Sequence, residues 1–418
     1  MTRPRALLVV TGSELVRGER TDLNGPYLAR EVLSRGVEPA RITLVGDGEK
    51  ELEAALREGL EADLLITSGG LGPTHDDRTV ELLARVLGRP LRVDEDLHGQ
   101  IEGVSRAVAE RLRRPYADFE PGVRKQASLP EGASSVGLAG TAPGLVLEQN
   151  GTAVVVLPGP PGELRRLWAS ALESDPVRRV LERARPPGRR VLRFFGASES
   201  AIARALEEAG GERPGVEATI CARDFEIHVD LVVDPGAEAE ADELESALVA
   251  PVERWLFARD ERPIEEHVLA LCRARGLTLA TAESCTGGLI AERLTRVPGS
   301  SDVFLGGIVA YANEVKVRQL GVSPEMLEAH GAVSPEVAAA MASGVRERLG
   351  ADVAIADTGV AGPAGGTDEK PVGLVYVAVE TPSAARVIDF NYPADRHAVR
   401  ARAAVAGLHL VRRLLAQS

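Results

Sequence analysis

Residues 64–78 read LLITSGGLGPTHDDR. The stretch opens on Leu64-Leu65-Ile66-Thr67, a short apolar run of strand length, and passes through Ser68-Gly69-Gly70-Leu71-Gly72 into a helical pattern over 78–87. The same alternation continues outward from it. Upstream, a strand pattern over 5–10 precedes a helical one over 24–34, and 42–45 precedes 49–60; downstream, 153–157 leads through Pro158-Gly159-Pro160-Pro161-Gly162 into a helix over 163–172. Such alternation predicts a parallel sheet with helices on both faces, and in such sheets ligands bind at the carboxyl ends of the strands. The strand exits carry Thr11-Gly12-Ser13-Glu14, Asp47, the glycine loop with Pro73-Thr74-His75-Asp76-Asp77, and the proline-glycine turn. Four loops are therefore expected to meet at one rim.

The chain has 418 residues, 44% of them apolar and 27% charged, which allows two to four domains with cores and excludes a disordered or collagen-like chain. Its 49 basic against 62 acidic residues leave a net charge of −13, so the chain as a whole repels nucleic-acid phosphates and anionic membranes. Three cysteines, Cys221, Cys272 and Cys285, without a CxxC spacing exclude a disulfide framework and a cysteine zinc site. A reducing, cytoplasmic setting is expected, and residues 1–10 lack a signal-peptide core. Only four of the 49 basic residues are lysines: Lys50, Lys125, Lys316 and Lys370. That bias is either a general preference for arginine or a mark of positions needing an amine that can lose its proton.

Between 178 and 193, seven arginines surround Pro186-Pro187-Gly188, which reads as a linker. A strand, helix, two-strand, helix order follows, and a second joint is expected at 259–263. From 264 onward the pattern alternates again: helix 264–275, strand 277–282, helix 287–295, strand 303–311, helix 335–349, strands 353–357 and 372–379, and a helix 396–416. The expected class is α/β. Two doubly wound three-layer α/β domains, 1–173 and 257–418, flank a small α+β module, 174–256.

At the amino-terminal rim, backbone N–H groups of Ser68, Gly69, Gly70 and Gly72, with Thr11, Gly12 and Thr74, suit a phosphate. Carboxylates beside a phosphate loop make electrostatic sense chiefly with a divalent cation between them, and Glu14, Asp22, Asp47, Asp76 and Asp77 are the candidate ligands. Asp77 and Asp22 can equally cap the helices that follow them. The runs "TSGGLGPTHDDRT", "TGSELVRGERTDLN", "VGD" and "LPGPPGE" resemble the molybdopterin-binding domain in the version that opens the competence/damage-inducible CinA family. That resemblance implies functional aspartates at Asp47 and Asp77 and an ADP-ribose pyrophosphatase requiring a divalent metal (Mg2+, Co2+ or Mn2+), with K+ as an activator. His75 departs from the proline often found there. The middle module resembles the family's KH-like segment, but it lacks the GxxG loop that clamps nucleic acid.

The strand over 277–282 ends in Glu283-Ser284-Cys285-Thr286-Gly287-Gly288, where a helix begins. A hydroxyl there is either a cap or a nucleophile, and Cys285 is a rival nucleophile. No histidine stands near either in a motif, so a serine needs another base, for which a desolvated neutral Lys316 serves, with Tyr311 relaying a proton or holding the amine. Backbone N–H groups over 285–288 are expected to stabilise the oxyanion. A third exit, residues 357–366 with Thr358, Gly359 and Gly362, offers a nest for an anion. The runs "TAESCTGGLIAERLTRVPGSS", "GGIVAYANEVK", "HGAVS", "TGVAGPAGG" and "KPVGLVY" closely resemble the CinA carboxy-terminal domain, the nicotinamide mononucleotide deamidase. This implies Ser284 as nucleophile with Tyr311 and Lys316, no cofactor, substrate contacts from Thr286 and Gly287, and phosphate contacts from Ser301 and either Arg396 or Arg400. The resemblance also implies a homodimer. The rival readings are a pterin-binding module and a nucleic-acid partner in DNA uptake, the latter suggested by the arginine run.

Overall fold

The computed structural model describes residues 3–417. Chain contacts divide them into two compact units: residues up to Gly188 together with Val232–Ala239, and Arg189–Leu231 together with Glu240 onward.

The first unit is built on a six-stranded sheet. Its strands are β1 (Arg5–Thr11), β2 (Glu38–Val45), β3 (Leu64–Ser68), β6 (Ser134–Ala139), β7 (Ala142–Gln149) and β8 (Thr152–Leu157); β4 (Leu91–Val93) and β5 (Ser128–Pro130) form a separate antiparallel pair. The order β2-β1-β3-β8-β7-β6 is parallel through β8 and antiparallel beyond it, so the expected all-parallel sheet is corrected to a mixed one. The cause is a two-residue turn, Asn150 at φ 52° and Gly151 at φ 89°, which folds β7 back on β8. β3 is buried along its whole length, with Leu65 facing one helical layer and Leu64 and Ile66 the other. Of the arginine-rich stretch read as a linker, residues 178–183 are the end of the helix Asp175–Arg183, whose Val177 and Val180 enter the core, while Pro186-Pro187 lie in the short connection before a strand that starts at Gly188, where the first unit's main segment ends. Its arginines pair with the unit's own carboxylates: Arg178 with Glu173, Arg179 with Glu148, and Arg183 with Asp63.

The second unit holds two sheets, apart from their residues Gly188 and Val232–Val233, which belong to the first unit. One, in the order β10-β11-β9-β12, comprises β9 (Gly188–Phe194), β10 (Val216–Arg223), β11 (Glu226–Val233) and β12 (Leu256–Ala258). The other, β14-β13-β15-β16-β17, comprises β13 (Leu279–Glu283), β14 (Phe304–Val309), β15 (Val353–Gly359), β16 (Leu374–Glu380) and β17 (Ala385–Asn391), with β13 parallel to both neighbours and β16 and β17 antiparallel. Alternation along β13 and β15 feeds two cores. Ala280, Ala282, Ala354 and Ala356 meet the helix Pro335–Leu349, while Leu279, Val353 and Ile355 meet the helices Ile264–Arg275 and Arg396–Gln417. Small alanines on one face let the helix Pro335–Leu349 approach closely.

A charged knot lies inside this unit. Glu226, 1% exposed, accepts from Arg193 Nε at 3.0 Å, and its two oxygens lie 3.2 Å from His228 Nε2 and 2.8 Å from His409 Nε2. The His409 ring stacks on Phe195 with centroids 3.7 Å apart. Among the described residues, no helix is long and apolar enough to cross a membrane.

Candidate active site

In the second unit the parallel strands β13 and β15 end side by side, Glu283 opposite Asp357, and their exits form the walls of a cavity of about 280 Å³. Ser284, Cys285, Tyr311, Asn313, Lys316 and Arg396 line it, together with residues 332–333, 358–362 and 364–365. Lys316 comes from the helix Asn313–Leu320, which follows β14, and it is 1% exposed. Its Nζ lies 3.0 Å from Ser284 Oγ, 2.8 Å from Ala310 O and 3.2 Å from Tyr311 O. Two carbonyls fix two amine hydrogens, so the remaining position faces the serine hydroxyl. Burial pulls the Lys316 amine below the usual lysine range, against the opposing charge of Asp357. A neutral amine at that distance can take a hydroxyl proton.

The neighbouring thiol differs. Cys285 is buried, and burial first, then the charge of Asp357, pushes it up to about 12, which leaves almost no thiolate near neutral pH. Tyr311 does not hold the amine with its side chain: its carbonyl does so, while its hydroxyl accepts from Arg396 at 3.0 Å. Arg396 stands on the cavity wall and also donates to Gly362 O at 2.9 Å. Arg400 instead donates its Nε to Thr286 O at 3.1 Å, tying the helix Arg396–Gln417 to the turn that follows Ser284. Ser301 precedes β14, at the opposite end of the sheet from Ser284, because β13 and β14 run parallel from Leu279 and Phe304. It does not reach this cavity.

The oxyanion donors expected over 285–288 are largely engaged. The amides of Cys285 and Thr286 bond to Asp357, and that of Gly288 bonds to Glu283. Thr286 is fully buried and Gly287 lies off the cavity wall. The amides on the facing wall, at Ala361, Gly362, Ala364 and Gly365, have no partner among the described residues. Thr358 lines the cavity while its hydroxyl donates to Ala332 O at 2.7 Å.

The first unit brings its expected rim loops together around a cavity of about 400 Å³, lined by Thr11, Gly12, Glu14, Asp47, Gly69, Gly70, Gly72, Asp76, Asp77 and the turn 158–160. Only glycine fits at two of these positions. Gly69 (φ +103°) and Gly70 (φ +68°) would set a Cβ 2.6 Å from Thr11 O and 2.1 Å from Thr79 Oγ1. Asp47 accepts from Ser13 Oγ at 2.6 Å, and Asp77 accepts from Thr74 N at 3.0 Å. Ser68 and Thr74 are off the cavity wall: Ser68 is buried against Asn24 and Pro158, and Thr74 spends its hydroxyl on Asp76 and Asp77. Asp22 caps the helix Asn24–Leu33 through Asn24 N at 2.8 Å and lies outside the cavity. Sequence reasoning missed Gln126, Thr141 and Glu163 on the wall, although Glu163 sits directly behind the proline-glycine turn; burial pushes its carboxyl up.

No three His, Cys, Asp or Glu side chains converge into a ready metal site among the described residues. The side chains present are nonetheless of the oxygen-donor kind that hard cations take. Carboxylates of Glu14, Asp47, Asp76, Asp77 and Glu163 ring one cavity, and Asp76 and Asp77 share a single Thr74 hydroxyl proton.

Two α/β units, one with a glycine-loop cavity ringed by carboxylates and the other with a buried Ser–Lys pair, define a two-site α/β protein. The sequence matches the CinA C-terminal domain over residues 261–415 and the probable molybdopterin binding domain over residues 7–177. A CinA-like protein of Mycolicibacterium paratuberculosis is 42% identical over 431 positions, covering 98% of each chain, and one of Mycolicibacterium gilvum is 43% identical over 424, again covering 98% of each. Among solved structures, the competence/damage inducible protein CihA from Agrobacterium tumefaciens is 39% identical and covers 38% of this chain and 100% of its own, with a TM-score of 0.36. The chain belongs to the CinA family.

Proposed function

We propose that the second unit hydrolyses the carboxamide of nicotinamide mononucleotide to nicotinic acid mononucleotide and ammonia. The observation that carries this reading is the 3.0 Å contact between Lys316 Nζ and Ser284 Oγ inside the cavity. Lys316 takes the serine proton as Oγ attacks the carboxamide carbon, then returns it to the departing nitrogen as the C–N bond breaks. Water, deprotonated by the same amine, cleaves the resulting ester and frees Ser284. The unpartnered amides over 361–365 are the oxyanion donors in this scheme, and Arg396, beside the Tyr311 hydroxyl, receives the phosphate. Ammonia release from nicotinamide mononucleotide by the purified chain tests the reading.

We further propose that the first unit hydrolyses the pyrophosphate of ADP-ribose, a reading supported by the glycine loop and the ring of carboxylates around one cavity. Asp47, Asp76, Asp77 and Glu14 would hold a divalent cation, which when bound supplies charge neutralisation and an activated water. Glycine amides would orient the phosphates. Asp77→Asn and Asp47→Asn are each expected to lower ADP-ribose turnover at least about tenfold while the melting temperature stays put, since the isosteric amide spares packing. Chelation should stop the reaction. Wild-type turnover in both variants, or cleavage that survives a chelator, contradicts this reading.

A further inference from the structure

Two buried carboxyl groups grip the turn that presents Ser284, and the hydrogens around them do not suffice for two charges. Glu283, 1% exposed at the end of β13, accepts the backbone N–H groups of Gly288, Ile290 and Ala291 at 2.8, 3.0 and 2.8 Å. Asp357, 0% exposed on β15, accepts the N–H of Thr286 at 2.9 Å and that of Cys285. Between them stands the buried Thr286 hydroxyl, 2.7 Å from Glu283 Oε2 and hydrogen-bonded to Asp357 Oδ2. A hydroxyl carries one proton. With both carboxyls ionised, one of these contacts would set lone pair against lone pair in a place shielded from water. Three backbone donors compensate Glu283, so the missing hydrogen belongs to Asp357. Burial and the nearby charge of Glu283 act in the same sense, pushing the Asp357 carboxyl up to about 7.

We propose that Asp357 is a positioning residue that works as a neutral carboxylic acid: Oδ2–H donates to Thr286 Oγ1, that hydroxyl donates to Glu283, and Oδ1 holds the turn directly after Ser284. This rests on the reading of Ser284 and Lys316 as an amide-hydrolysing pair. Its consequence falls on Lys316, because an ionised Asp357 favours the ammonium form, whereas a protonated one leaves the amine free to act as a base. The other titratable or charged groups facing this carboxyl are Glu283 from β13, Cys285 from the turn and Lys316 from its helix; Arg396 and Arg400 reach the same turn region from the long helix.

The test compares Asp357→Asn and Asp357→Ala with wild type in the full chain, by the pH profile of kcat and kcat/KM for nicotinamide mononucleotide and by melting temperature against pH. Asparagine reproduces the acid, its NH2 donating to Thr286 and its carbonyl accepting the turn amides. It should keep kcat within about threefold of wild type near pH 6.5, and should not share any fall in wild-type activity above pH ~7. Alanine should lose at least about tenfold at every pH, because two buried N–H groups lose their acceptor. A carboxyl whose folded pKa is raised contributes stability that is full below the unfolded value and is lost as pH rises through the folded one. Wild type should therefore lose melting temperature relative to Asp357→Asn between about pH 4 and about pH 7, with a constant difference above. If asparagine harms kcat as much as alanine does, or if the melting difference does not change with pH, Asp357 is ionised and the proposal is overturned. If wild type releases no ammonia, the amidase reading fails, and the melting series still decides where the proton sits.

Discussion

Ser284→Ala and Lys316→Arg should each cut ammonia release from nicotinamide mononucleotide at least about a hundredfold, while Cys285→Ala should stay within a few-fold of wild type. A serine hydroxyl is a weak nucleophile near neutral pH, and the amine 3.0 Å from it is the base in reach, held by two carbonyls that leave its remaining position for the serine. Arginine places a permanent cation there that cannot give up its proton at any working pH, so Lys316→Arg removes the base while keeping a long basic side chain. Cys285 shares the cavity wall, yet its thiol is pushed up to about 12 and forms no useful thiolate. The pH dependence follows from the same geometry. Since the Lys316 amine is lowered by burial, activity should rise with pH through a limb that lies below the ordinary lysine range and disappears in Lys316→Arg. Steady-state ammonia assays across pH check all three variants.

Glu226→Gln should destabilise the second unit by about 3 kcal/mol, because removing one partner of a buried pair leaves the Arg193 guanidinium uncompensated. Burial opposes charge on Glu226, but hydrogen bonds from His228 and His409 and the charge of Arg193 outweigh it and hold the carboxyl at about 2. Burial lowers His409 to about 4, so it is neutral at working pH. Both depressed values act in one direction. The unfolded chain takes up a proton at His409 from about pH 6.5 downward while the folded chain resists until about 4, so stability falls across that window; Glu226 adds a further loss below its ordinary value of 4.5. Melting curves from neutral pH to about pH 4 should show this decline in wild type. A change within about 0.5 kcal/mol for Glu226→Gln would mean the knot contributes nothing net.

The strands and rim loops were readable in the sequence because buried parallel strands are continuous apolar runs and βα turns carry glycine. β3 and the helix Pro335–Leu349 lie within a residue or so of where the pattern put them. The antiparallel half of the first sheet was signalled by Asn150-Gly151, a hairpin dipeptide between two apolar runs that went unused. The helix Asp175–Arg183 was hidden because the arginines of its polar face drown the Val177–Val180 spacing. Lys316 stood out by the rarity of lysine, but the helix that carries it did not, as its residues 313–320 have little apolar periodicity. Neither the Glu226–His409 contact, which joins residues 183 apart, nor the sharing of one Thr286 proton by two carboxyls has any local signature. Motif position alone did not place Ser301 at the far end of the sheet from Ser284 or Arg400 against the Thr286 carbonyl.

The most direct measurement is ammonia and nicotinic acid mononucleotide produced together by the purified full-length chain from nicotinamide mononucleotide, in wild type, Ser284→Ala and Cys285→Ala. Equimolar products from wild type and Cys285→Ala, with release from Ser284→Ala down at least about a hundredfold, are expected of a serine–lysine amidase. Loss of activity in Cys285→Ala with Ser284→Ala spared would make it a thiol hydrolase, and no ammonia from wild type would mean that the buried pair does not hydrolyse this amide.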